Sequence, residues 1–448
     1  MLFNKKNLVP IVMLFMIIAF IIIGYFIERA QFTLLIISIS ICFAGFLFLI
    51  KSNSFSLSHL LYFSVVCRAI FIFSIPVLSD DYFRFLWDGH LINTGINPFL
   101  ALPSALIQQP VISGNDIMQF LYAHMNSQDY FSVYPTIMQG SFSIAAWLSP
   151  YSIKSPLIIL HFIILLSELG TIYFGLKILK IIQLPSRNIL WYALNPLVII
   201  ELTGNLHFEA LMIFFCAASI YFLLKNKAIP AGIFLSFAIA TKLLPLIFIP
   251  FILKYIGRKK RISLLASIFL GGIILFIPFL NPVFFIHLSK SIALYFQSFE
   301  FNGSVYKILR WVGYQVTGNN IIQFSGIFLP LIVLISIIII YSRQNKDSVK
   351  SLFNCLLFSF TIYFALASIV HPWYATTLVF LNIFLNYKFI YLWSATVLLS
   401  YFAYRQIPYS ESGFISLLEY LPVLIIMFFE LRKSFSIFRH PNTSTMLL

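Results

Sequence analysis

One apolar run after another, many of them long enough to cross a lipid bilayer, fills this chain from Leu8 to its C-terminus. A hydrocarbon core about 30 Å thick needs about 20 helical residues at about 1.5 Å each. Inside it every backbone N–H and C=O must be paired within the protein, which leaves only helices or closed barrels. The alternating ten-residue strands of a barrel are absent. The expected fold is therefore all-α, a polytopic membrane protein. Hydrophobic residues at 60% and charged residues at 10% exclude an ordinary soluble domain. The run Leu8–Ile27 is long for a signal-peptide core and lacks a small-x-small cleavage site, so it reads as a retained first helix.

Counting the runs predicts about 14 transmembrane or re-entrant helices. With the N-terminus inside, 20 of the 29 Lys and Arg fall in short inside loops or tails, among them Lys5/Lys6, Lys51, Arg187, Lys225/Lys227, Arg258–Arg261, Arg343, Lys388 and Lys433/Arg439. That positive-inside bias places both termini in the cytoplasm, and it accounts for a net charge of +15 without a nucleic-acid partner. The short runs Ile229–Thr241 and Leu243–Leu253 flank Lys242 and read as a hairpin. Interrupted backbone at depth must line a cavity or be buried in protein, so a cavity is expected near Lys242. Two long polar intervals lie outside, about 79–155, after the third helix, and about 282–320. The second includes Leu294–Tyr314, amphipathic enough to lie along the membrane surface. No soluble domain is appended, so residues 1–448 read as a single integral-membrane domain. Cys42, Cys67, Cys216 and Cys355 sit in apolar runs without metal-ligand spacing and act as small hydrophobes.

Chemistry is expected where polar residues concentrate. Acids number 14 in 448 residues, yet SDDYFRFLWDGHLINTGINPF, Ser79–Phe99, places Asp80, Asp81 and Asp88 within nine positions, with Arg84 and His90 among aromatics. On a helix, Asp80, Arg84 and Asp88 are four apart and share a face. A solvated juxtamembrane helix is the structural alternative, but it does not explain the scarcity of acids elsewhere. A partly shielded carboxylate is what a general base requires. A second cluster, Glu201, Asn205, His207 and Glu209, lies where two short helices meet; a hairpin tip is its alternative. Lys242 costs about 2.5–3.5 kcal/mol in so apolar a stretch unless it snorkels, pairs with an acid or meets an anion. Arg68, mid-run, raises the same question, with a structural salt bridge as its alternative. In HPWY, His371–Tyr374, proline breaks the helix, and Trp373 and Tyr374 suit an interface. Lys307 and Arg310 are one turn apart, and Arg405 stands alone; these bind lipid head groups or are simply solvated.

Taken in order, these segments resemble the C-type (GT-C) superfamily of integral-membrane glycosyltransferases, in particular the bacterial polyprenol-phosphate-mannose-dependent mannosyltransferases. Ser79–Phe99 is similar to their outer-loop acidic, W-D-G and G-x-N-P signature, and DYFSVYPTIMQ, Asp129–Gln139, to their Y-P-P segment. NPLVIIELTGNLHFEA is similar to their N-P…E…G-N-x-H-x-D, ATKLLPLIFIP to their T-K-x-x-P, and HPWY recurs near their C-terminal end. Glu209 stands in place of the usual Asp, Pro135-Thr136 in place of Pro-Pro, and the acidic signature follows a third helix rather than the first.

The resemblance implies a polyprenyl-phosphate sugar donor, of the mannose type, entering from the outer leaflet of the lipid bilayer. A glycan or lipid-linked acceptor hydroxyl would be deprotonated by Asp81 or Asp80 and attack the anomeric carbon with inversion. Lys242, His207 and His371, with Arg310 or Arg405 as further candidates, would stabilise the departing phosphate. Arg84 would fix the carboxylate, and Asp88, His90, Asn205, Glu209 and Tyr374 complete the substrate-binding set. A divalent cation, Mg or Mn, could sit on Asp80 and Asp81, though some such enzymes use none. The enzyme would sit in the plasma membrane with its site facing outward. The alternatives are a transporter or flippase of lipid-linked glycans, or an oligosaccharide ligase.

Overall fold

The computed structural model describes residues 5–52 and 54–439. The ends of the expected 1–448 domain, and the side chains of Lys5, Lys6, Lys433 and Arg439, lie outside what is described. Among the described residues the regular elements are all helical. Seven are long and apolar enough to cross a membrane: Asn7–Tyr25, Phe32–Lys51, Lys154–Ile181, Arg258–Phe279, Ile322–Arg343, Val349–Leu366 and Gly413–Arg432. The pair Pro196–Gly204 and Glu209–Leu224, bent by 114°, makes an eighth if taken as one span.

The candidate spans thus number seven or eight among the described residues, against the expected count of about 14 transmembrane or re-entrant helices. The difference comes from apolar runs whose helices are short, some of them enclosed by protein. His59–Leu78 contains a helix only over Leu57–Ala69, continued by a 3₁₀ turn at Ile70–Phe73. Trp373–Asn386 holds an eight-residue helix, Ala375–Asn382, and every one of its residues is buried. A helix enclosed by protein on all sides is apolar all round whatever its length. By contrast, Phe269, Phe324, Ile338 and Phe428, on three of the long helices, are each about half exposed or more and suit a lipid-facing surface.

Leu294–Tyr314, expected to be amphipathic, is not one element. It divides into Phe284–Gln297 and Ser304–Thr317. Between them the Phe301 N–H donates to the Ser368 carbonyl (3.0 Å) and the Phe301 carbonyl accepts from the Val370 N–H (2.7 Å). That pairing fixes the second outer interval against the segment leading into HPWY. Arg68 proves structural: fully buried, it donates to Glu168 at 2.8 Å and to the Ala193 carbonyl at 2.6 Å. Removing either partner would leave an uncompensated buried charge.

The connectors gather at two ends of the bundle. At one, Arg187 donates to the carbonyls of Ser52 and Phe55, Lys260 to that of Asn226, and Gln344 to that of Phe251. At the other, Arg29 meets Asp80, the Leu78 N–H meets Asn205, and Lys242 meets Glu209. Most of the basic connectors belong to the first end, and the acidic signature to the second.

Candidate active site

Asp81 begins the helix Asp81–Asn93, and its N–H donates to the Ser79 hydroxyl at 3.3 Å. Asp80, just before it, is held by Arg29 at 2.9 Å. Arg29 belongs to the short connector between the first two spans. Asp81 is half-buried, and burial is the main reason its carboxyl is pushed up to about 6. Lys242 and Arg29 pull it down through space, whereas Asp80 and Glu209 push it up.

Lys242 arrives from the break between Ala228–Thr241 and the 3₁₀ turn Leu244–Ile247, itself in extended backbone at φ −149°. Its ammonium pairs with the buried Glu209 and lies 5.9 Å from the centre of the Tyr374 ring. Glu209 starts the second half of the bent pair. The first half closes in a wide π-helical turn, Ile199–Gly204, and the chain then reverses through Leu206 at φ 59°. π-Helical turns occur frequently at functional sites, and left-handed backbone at a leucine costs about 1–2 kcal/mol. Here the reversal carries His207 and Glu209 to the Asp81 end.

His207 is buried, with Nε2 3.5 Å from Glu201, which accepts a 2.8 Å hydrogen bond from Tyr401. Its ring stacks on Trp373 at 3.6 Å, Trp373 on His371 at 4.2 Å, and His371 on Phe301 at 4.8 Å. This column ties the bent pair, the HPWY turn and the second outer interval together. Burial, helped by Lys242, pushes His371 down to about 3, so it is neutral at physiological pH and can offer a hydrogen bond but no charge.

Beside Lys242 and Tyr374 opens a cavity of about 420 Å³ whose walls include Tyr134, Pro135, Leu244, Ile247, Tyr363 and Ile369. A smaller cavity of about 90 Å³ shares Tyr363, Ala367 and Ser368 and continues along Leu329, Pro330 and Val333 of the Ile322–Arg343 helix. Largely apolar and with a cation in its wall, this space suits an amphiphile with an anionic head.

The other expected site residues stand elsewhere. Arg84 does not hold Asp80 or Asp81; it donates to Asp88 at 2.7 Å and to the carbonyls of Ser127 (3.1 Å) and Tyr130 (2.9 Å). Asp88 also accepts from Ser132 (2.6 Å) and Gln139 (2.9 Å), so the pair is a buried clamp on the first outer interval. His90 is buried nine residues along the helix, about 13 Å from the start. Asn205 is a brace: its side chain accepts from the Leu78 N–H and donates to the Ile200 carbonyl, both at 3.1 Å. Arg310 pairs with Glu300, and Arg405 is exposed over the Phe402 ring at 4.0 Å; neither is brought into contact with the Lys242–Glu209 pair. Among the described residues no group of three or more His, Cys, Asp or Glu side chains is placed to hold a metal ion, and the carboxylate pair offers only Asp81 beside an Asp80 already paired. Sequence reasoning missed Arg29 and Tyr404, whose ring centre lies 4.9 Å from the Arg29 guanidinium. A lone arginine between two spans carries no signal until Asp80 is seen against it.

A polytopic helical bundle that sets carboxylates against a half-buried lysine beside a largely apolar cavity fits a membrane enzyme of the C-type glycosyltransferase class. The family profile described as Alpha-(1->6)-mannopyranosyltransferase, N-terminal domain (MptA_B family) matches residues 13–258, more than half of the chain. The chain belongs to this family and is a mannosyltransferase, which displaces the transporter reading. No protein of curated function matches the chain. The match covers Asp80, Asp81, Glu209 and Lys242, whereas His371, Tyr374 and Tyr404 lie beyond it.

Proposed function

We propose that the enzyme transfers mannose from a polyprenyl-phosphate donor to a mannoside acceptor, with inversion, on the extracytoplasmic side of the membrane. The observation that carries this reading is the largely apolar cavity lined in part by Lys242, which is paired with Glu209 and within electrostatic reach of Asp81. The isoprenoid would lie along the cavity and the phosphate at Lys242, exchanging places with the Glu209 carboxylate. Asp81 takes the acceptor proton, the acceptor oxygen bonds to the anomeric carbon, and polyprenyl phosphate leaves with the electron pair of the broken C–O bond. Lys242 opposes the charge that develops on that phosphate, in a site where such charge stabilisation is large. Neutral His371, stacked on the buried Trp373 beside His207, adds no charge to the site.

Depth and charge support the outward orientation. From the basic connector Lys225–Lys227, the 14 residues of Ala228–Thr241 rise about 21 Å, which sets Lys242 in the far part of a core about 30 Å thick. Because residues on both sides of position 258 line the cavity, the chain is proposed to work as one domain.

The protein in lipid nanodiscs is expected to consume a polyprenyl-phosphate mannose and leave a nucleotide-linked mannose untouched, as read by radiolabel in the product. The reverse preference would sink the donor assignment. A base pushed up to about 6 also sets a pH dependence. Asp81 acts only when ionised, so kcat/KM should climb about tenfold per unit below about pH 6 and level off above about 7. A flat profile from about pH 5 to about pH 8 would exclude Asp81 as the base.

A further inference from the structure

Arg29, Asp80, Tyr404 and Tyr409 form a polar group beside Asp81 that the donor leaves unused. Arg29 comes from the connector between the first two spans, Asp80 adjoins Asp81, and the tyrosines follow the helix Lys388–Thr396. The Arg29 guanidinium donates to Asp80 at 2.9 Å and to the Val77 carbonyl at 3.4 Å, and it faces the Tyr404 ring at 4.9 Å. Tyr404 meets Tyr409 edge-on, 4.7 Å between centres at 70°. Both tyrosines act electrostatically on Arg29, and both carboxylates act on Tyr404. The group is open at the protein surface: the Asp80 side chain is 37% exposed and Tyr409 is 59% exposed. Its character differs from that of the cavity at Lys242, which is mainly apolar.

A hexopyranoside has the complementary chemistry. Its vicinal hydroxyls can bridge a carboxylate and a guanidinium, as each of those groups offers two parallel hydrogen-bonding positions. Its C–H face is apolar and lies well against an aromatic ring with a polar rim. We propose that Arg29, Asp80 and Tyr409 form the acceptor subsite, which takes the terminal mannopyranoside of the acceptor and points its primary hydroxyl at Asp81. This rests on the reading of Asp81 as the base. It also gives the adjacent acids different tasks: Asp80, kept in its ion pair, orients the sugar, and Asp81, with no cation bonded to it among the described residues, takes the proton. Arg29, 51 positions from Asp80 in the sequence, then serves as a specificity determinant.

The test uses the full chain in nanodiscs, with octyl α-1,6-dimannoside as probe and no donor present. Its dissociation constant is measured by saturation-transfer NMR, and polyprenyl-phosphate mannose binding is measured separately by tryptophan quenching. Tyr409→Ala should weaken dimannoside binding about tenfold, Tyr409→Phe should stay within about twofold, and Arg29→Gln should weaken it about tenfold, all with donor binding unchanged. Because Tyr409 is exposed, its variants report even if Arg29→Gln fails to fold. Wild-type affinity in Tyr409→Ala, an equal loss of donor binding, or no dimannoside binding by the wild type would each overturn the subsite; the Arg29–Asp80 pair would then be a rim salt bridge. Dimannoside binding that depends on Tyr409, in a protein that ignores the lipid donor, would leave the subsite standing and refute the donor assignment alone.

Discussion

Asp81→Asn is expected to lower mannosyl transfer about 1,000-fold while leaving donor affinity within about twofold. The amide keeps the shape of the carboxylate and its place at the start of the Asp81–Asn93 helix, but it cannot accept the acceptor's proton. Asp80→Asn is the informative comparison. Asp80 is committed to Arg29, so its loss should act on acceptor KM far more than on kcat, by about tenfold. Single-turnover transfer with saturating acceptor separates the two. If Asp80→Asn abolishes turnover and Asp81→Asn keeps it, the roles are exchanged; if both retain full turnover, the base lies elsewhere.

Lys242→Met is expected to cost both stability and activity. Glu209 is 1% exposed and takes its salt bridge from Lys242, so the substitution leaves a buried carboxylate without its counter-charge, a loss of about 3–5 kcal/mol. The double variant Lys242→Met/Glu209→Leu removes both charges and should return to within about 1 kcal/mol of the parent, because two apolar side chains of similar size replace a buried pair at little net cost. Transfer should stay at least about 100-fold down in the double variant, since no cation faces the leaving phosphate. Thermal unfolding in nanodiscs and initial rates measure the two effects independently. A double variant that is stable and fully active would reduce Lys242 to a structural role.

The sequence made some of this legible and hid the rest for physical reasons. The all-helical membrane class followed from apolar run length alone. The break at Lys242 followed from two runs too short to span, and the structure puts extended backbone and a cavity there. The number of spans was not legible, because apolarity reports burial in protein as readily as burial in lipid, as Ala375–Asn382 illustrates. The partner of Arg84 was ambiguous in principle: Asp80 and Asp88 are each four residues away. The tie is broken by Ser132 and Gln139, which lie more than forty positions along the chain and converge on Asp88. The split at 298–303 likewise depends on main-chain bonds to residues 368–370, which no local pattern encodes.

A lipid-phosphate mannose donor attacked at a site built from Asp81 and Lys242 must invert at the anomeric carbon. The most direct measurement offers the purified enzyme the α and β anomers of one polyprenyl-phosphate mannose with octyl α-1,6-dimannoside, and reads the new linkage by NMR. Inversion to the α-1,6 bond named by the family predicts that only the β-linked donor is consumed and that the product is α-linked. Consumption of the α-linked donor to give the same α-linked product would contradict it.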